Sequence, residues 1–100
     1  MRKYGKDTTR IHVRAGERFV LELPALATGG FAWLLRRDPG VAVLSQERIR
    51  PGGPGIGASS IQEFEFAATR AGAGTLLMEY KRPWENVEGE RLEIEIVVEP

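Results

Sequence analysis

Seven short runs of alternating apolar and polar residues, glycine- and proline-rich punctuation between them, and no cysteine predict an all-β fold. The architecture expected is an immunoglobulin-like β-sandwich of about seven antiparallel strands in Greek-key order, with no disulfide. One hundred residues suit one small domain with a single core, so residues 1–100 are read as one unit. The polar start, residues 1–8, is expected to be a flexible amino-terminal segment.

The strands follow in order from their inward faces. Ile11 and Val13 form the first short set, and Phe19, Leu21 and Leu23 the second. Phe31, Trp33 and Leu35 form the third, with Trp33 as the expected central core aromatic. Val41 to Arg48 is strand-like, but its inner face is ambiguous. Phe64 and Phe66 alternate with Glu63 and Glu65. A helix over Gln62 to Arg70 is allowed by propensity, yet this alternation and the following Gly72 and Gly74 favour a strand and a turn. Leu76, Met78 and Tyr80 give the sixth set, and Leu92, Ile94, Ile96 and Val98 the seventh. Ala15-Gly16, Asp38-Pro39-Gly40 and Ala71 to Gly74 read as turns. Pro51 to Gly57 holds four Gly and two Pro and reads as a loop.

Composition excludes several classes of function. Hydrophobic residues make up 42% and charged residues 28%, as in an ordinary soluble chain. Fourteen basic residues balance fourteen acidic ones, which argues against a nucleic-acid surface. Without cysteine there is no thiolate metal site and no Cys nucleophile. No apolar run reaches membrane-spanning length, and the start lacks a signal-peptide core. A cytoplasmic protein or a mature, trimmed form is the corresponding expectation. His12 lies between Arg10 and Arg14 on an outward face and has no partners for catalysis. Ser45, Ser59 and Ser60 show no triad order, and no calcium-loop spacing occurs. No enzyme activity, metal or cofactor is expected.

Alternating strand direction places the second, fourth and sixth connections at one end of a sandwich. These are Pro24 to Gly30, Arg50 to Ser60 and Arg82 to Glu90, the longest or most unusual loops of the chain. Long loops on a rigid scaffold suit a composite binding surface, although loops also tolerate insertion without function. The third begins Arg82-Pro83-Trp84. Pro83 stiffens the backbone, and Trp and Arg are enriched in binding hot spots. The alternative is that Trp84 folds back over its own core.

These three loops resemble those of the chagasin-type inhibitors of papain-like cysteine peptidases. The family's first loop reads Asn-Pro-Thr-Thr-Gly, then an aromatic, any residue and Trp. The corresponding residues are Leu26-Ala27-Thr28-Gly29-Gly30, then Phe31-Ala32-Trp33. Its second loop reads Gly-x-Gly-Gly, matched in part by Gly57-Ala58-Ser59-Ser60. Its third begins Arg-Pro-Trp, matched fully by Arg82-Pro83-Trp84. Ala73-Gly74-Thr75 and Tyr80 also fit, and the resemblance runs from about Arg10 to Val98.

The resemblance implies a reversible, non-covalent inhibitor whose first loop enters a peptidase cleft while the other two grip its walls, and a monomer is the separate expectation for the chain. Thr28 and Gly29 would approach the catalytic Cys and His of the peptidase, and Trp84 would pack beside the cleft. Arg82 would support its loop or bond the target, and Gly57 to Ser60 would lie on the opposite side. Replacing Asn-Pro by Leu26-Ala27 and Thr by Gly29 loosens the first loop, so ordering it on binding costs more. Weaker or more selective inhibition is the expected result. An immunoglobulin-like interaction or adhesion module that inhibits no peptidase is the competing expectation, with a carbohydrate-binding sandwich more distant.

Overall fold

The computed structural model describes residues 1–26, 29–52 and 59–100. Eight strands build it: β1 (Arg2–Tyr4), β2 (Arg10–Arg14), β3 (Arg18–Leu26), β4 (Ala32–Arg37), β5 (Ala42–Pro51), β6 (Ser59–Ala68), β7 (Gly72–Lys81) and β8 (Glu90–Glu99). They form two four-stranded sheets, in the orders β1-β3-β6-β5 and β2-β8-β7-β4. Only β5–β6 and β7–β8 pair as sequential hairpins, and the other connections between successive strands cross from sheet to sheet. The sandwich expected from the sequence is therefore present, with β2 to β8 as its seven strands.

Several features depart from the sequence reading, and one is that Gly72 to Gly74, read as part of a turn, already pair with Val98 to Ile96 as the start of β7. The amino-terminal segment, expected to be flexible, contributes β1, which lies parallel to β3 with Arg2 opposite Phe19. Tyr4 meets Phe19 edge-on with ring centroids 6.2 Å apart, so one aromatic anchors an otherwise polar strand. The sheets are also mixed rather than wholly antiparallel, because β2 runs parallel to β8, with Ile11 opposite Ile96. The chain leaves β1, crosses to the second sheet and descends beside its last strand.

Period-two alternation decides which side chains meet between the sheets. Phe19, Leu21 and Leu23 of β3 and Phe64 and Phe66 of β6 are buried from one side. Ile11, Trp33, Leu76, Met78, Ile94 and Ile96 are buried from the other. Phe19 and Phe66 stack with centroids 5.3 Å apart. The ambiguous strand resolves as an edge. Val41 and Ala42 are buried, the ladder shifts register between Leu44 and Gln46, and the residues from Ser45 onward are exposed. Such an irregularity blunts an edge that would otherwise invite pairing.

The two poles of the sandwich differ. At one, short connections are stapled by backbone bonds, Ala15 N to Glu99 O at 2.7 Å and Gly16 N to Ala68 O at 2.9 Å. Asp38 Oδ1 accepts from Gly40 N at 2.6 Å in the turn before β5. Both chain ends lie at this pole, since Arg2 is level with Phe19 and Glu99 with Arg14. The longer connections emerge at the other pole.

Phe64 is 1% exposed at the centre of this packing. Phe64→Ala is expected to cost about 3–5 kcal/mol of unfolding free energy, read from a urea denaturation midpoint.

Candidate functional site at the loop pole

Strand register alone brings the three loops together. Leu26 at the end of β3 faces Ser59 at the start of β6, and Pro51 at the end of β5 faces Ser60. Across the sandwich, Ala32 at the start of β4 faces Lys81 at the end of β7, and Tyr80 faces Glu90. The connections after Leu26, Pro51 and Lys81 thus leave from one pole.

Polar side chains then tie the sheets to one another at that pole. Trp33 N donates to Gln62 Oε1 at 2.7 Å, and Gln62 Nε2 donates back to Trp33 O at 3.4 Å. The Trp33 indole Nε1 donates to Pro24 O at 2.9 Å. Leu26 N donates to the Tyr80 hydroxyl at 2.8 Å. Gln62 and Trp33 are buried, so the two bonds between them form where water competes little. Tyr80 also stacks between Trp33 and Phe31, with centroids 4.9 and 5.3 Å away.

The first and third loops are joined directly. Arg82 Nε donates to Gly29 O at 2.7 Å, and the Arg82 guanidinium lies 4.7 Å above the Phe31 ring. Gly30 has φ of +77°, and a Cβ built there would lie 2.2 Å from Trp84 Cη2. Only glycine allows both that backbone and that contact. Trp84 rests one edge of its indole on Gly30 and remains 72% exposed, so it does not fold back into the core. Pro83 is exposed beside it, and Glu85 N closes the turn on Arg82 O at 3.1 Å.

The predicted site residues divide accordingly. Gly29, Gly30, Arg82, Pro83 and Trp84 gather at the loop pole, with Leu26 exposed at its margin. Ser59 and Ser60 begin β6, and the buried Ser60 hydroxyl donates to Ala25 O at 3.3 Å. Ser60 braces the strand ends through that bond. Ala27, Thr28, Gly57 and Ala58 lie outside the described residues.

Sequence reasoning missed Glu79. It occupies an outward position of β7, yet it is 4% exposed because the third loop doubles back over it. Its Oε2 accepts from Gly89 N at 2.9 Å and its Oε1 from Arg36 Nε at 2.7 Å. The Gly89 amide, then the Arg36 guanidinium, hold its carboxyl below the usual carboxylate range. Nothing in an alternating strand marks such a residue in advance. Gln62 was likewise missed, although it shares the inward parity of Phe64 and Phe66, the signal that could have found it.

Among the described residues, no group of three His, Asp or Glu side chains is placed to hold a metal ion. His12 is exposed, with Nε2 3.0 Å from Glu99. Among the described residues, no helix is long and apolar enough to cross a membrane.

The chain is thus a small sandwich with three connections leaving one pole, two of them locked to each other and carrying an exposed Trp. Residues 12–98 match the family described as chagasin family peptidase inhibitor I42, and the chain belongs to that family of inhibitors rather than to a family of enzymes. It is 27% identical over 84 residues to Amoebiasin-2 of Entamoeba histolytica, covering 80% of this chain and 68% of that protein. Its fold resembles the crystal structure of the cysteine protease inhibitor EhICP2 from Entamoeba histolytica. There the TM-score is 0.80 at 23% identity, over 97% of this chain and 96% of that one. The solution structure of Amebosin aligns with a TM-score of 0.79 at 20% identity, over 98% and 97% of the two chains.

A carboxyl with a depressed folded-state pKa favours the fold above the ordinary carboxylate range, and its contribution is lost as pH falls through the lowered value. Glu79→Gln is therefore expected to lower the thermal unfolding midpoint at neutral pH. The gap from the wild type should close on acidification below about pH 4, measured by circular dichroism.

Proposed function

We propose that this protein is a reversible, non-covalent inhibitor of papain-like cysteine peptidases, with the loop pole as its contact surface. Family membership supports the reaction class, and it favours an inhibitor over an adhesion module. The observation that carries the site is the joined pair of loops, in which Arg82 holds the Gly29 carbonyl and Trp84 leans on Gly30.

That pairing makes a slim, braced edge. Residues 26–30 enter the cleft, where glycine at positions 29 and 30 keeps the backbone narrow enough to pass between its walls. Thr28 is assigned to the neighbourhood of the peptidase's catalytic Cys and His. Trp84, exposed beside this edge, packs against an apolar patch on one wall. Arg82 acts mainly from within, since its Nε is committed to Gly29 and its plane to Phe31. Residues 57–59 lie along the opposite wall, where backbone can pair with backbone, and Ser60 supports them from within the ladder. Substrate is excluded by occupancy alone, with no bond made or broken, and one inhibitor monomer blocks one peptidase.

The wedge is partly prepaid. The side of the first loop nearest Gly29 and Gly30 is already fixed by Arg82 and Trp84, which lowers the ordering cost of binding. The substitutions at Leu26 and Ala27 act on the other side, where no proline restrains the backbone. Inhibition weaker or more selective than that of a chain with the full first motif follows from that imbalance.

Titration of papain with the purified protein tests the reading, with stoichiometric, reversible loss of activity expected. Trp84→Ala should weaken inhibition by on the order of 2 kcal/mol, roughly thirtyfold. Its unfolding free energy should stay within about 0.5 kcal/mol, as befits an exposed side chain. Unchanged inhibition by the Trp84→Ala protein would remove the third loop from the contact surface.

A further inference from the structure

The outer face of β7 carries a feature that lies outside the three-loop contact surface proposed above. Outward side chains of a sheet are ordinarily solvated, but Lys81 keeps only 9% of its surface and Glu79 even less. Both are covered because residues 82–89 return across the sheet. Gly89 sits so close that a Cβ there would meet Tyr80 O at 1.9 Å and Lys81 Cβ at 2.9 Å. Between loop and sheet remains a cavity of about 280 Å³. Leu77, Glu79 and Lys81 line it from β7, Arg36 and Arg91 from the flanking strands, and residues 86–88 from the loop.

Its charges do not balance. Three cations face two carboxylates, and those two are unequally available. Glu79 is spent on Arg36 and the Gly89 amide. Glu88 reaches Arg91 only at 3.7 Å and is 86% exposed, so it is a loose partner. Among the described residues, no carboxylate lies within 4.0 Å of the Lys81 ammonium, and no hydrogen bond holds it. The Lys81 stem is covered by the returning loop while its nitrogen reaches solvent, so an anion entering the cavity can meet the ammonium directly. Arg36 is fixed through Nε, which leaves its terminal nitrogens as further donors.

We infer that this cavity is a binding site for a small oxyanion, a carboxylate or phosphate group, with Lys81 as its principal charge partner and Arg36 and Arg91 as flanking donors. Two sources present that chemistry. One is a free ion in solution. The other is an Asp or Glu side chain of a docked protein, because the loop that rims the cavity also carries Trp84.

The test is a titration of the isotope-labelled protein with sodium phosphate and, separately, sodium acetate, at ionic strength held constant with chloride. Amide resonances of Lys81, Gly89 and Arg91 are followed. Saturable shifts confined to this region are expected, and Lys81→Met should weaken the binding about tenfold or more. Met retains the apolar stem, so the variant should keep the wild-type spectrum elsewhere. Arg91→Gln, at an exposed position, serves as an independent second variant and should weaken phosphate binding several-fold. Non-saturating shifts with both salts, or equal affinity in both variants and the wild type, would overturn the site. Papain inhibition by Lys81→Met separates the sources. Weakened inhibition together with competition by phosphate identifies a protein carboxylate, whereas unchanged inhibition identifies a free ion.

Discussion

Binding by loops requires a stiff pole, and here stiffness comes from hydrogen bonds that join one sheet to the other. Packed sheets attract through apolar contact, which fixes their distance but leaves sliding comparatively cheap. Gln62 bonding both backbone groups of Trp33, and the Trp33 indole reaching Pro24 O, convert that contact into a fixed alignment. Tyr80 extends the alignment outward by stacking on Phe31 and accepting the Leu26 amide. Leu26 and the strand ends behind the proposed contact surface are positioned from Gln62, Trp33 and Tyr80. The Gln62–Trp33 bonds are buried and satisfied, so losing one partner would strand the other at a cost of about 1–3 kcal/mol.

From that base, rigidity is distributed unevenly. The third loop is pinned at its start by Arg82 and at its end by Glu79 through Gly89, leaving Trp84 as a mounted ring. Mounting matters because a Trp that must be ordered on binding gives back part of what its burial contributes. The first loop borrows stiffness from the third through Gly29 and Gly30. Glycine there serves two opposed ends. It loosens the free chain, yet it is the residue that lets the indole come close enough to restrain it.

How much of this was legible depended on where the physics is local. Strands β2 to β8 were readable because a two-residue period reports burial on one face, as in Leu92, Ile94, Ile96 and Val98. Convergence of the loops was readable because alternating strands reverse direction. Strand β1 was not, since Arg2-Lys3-Tyr4 has no alternation and its pairing with β3 is a matter of backbone and one aromatic contact. The parallel partnership of β2 with β8 is likewise a property of chain path rather than of composition. Ser60 resembled a loop residue by motif, but its register opposite Ala25 and Pro51 makes it part of the ladder. Glu79 and Lys81 looked solvated because burial by a returning loop leaves no periodic trace.

The placement of both chain ends at the short-turn pole has a practical corollary. A fusion partner, a surface tether or a fluorescent label attached at either terminus would trail from the far side of the molecule, a full strand length away from the edge proposed for peptidase contact. Tandem or immobilised versions should thus keep their grip without steric interference.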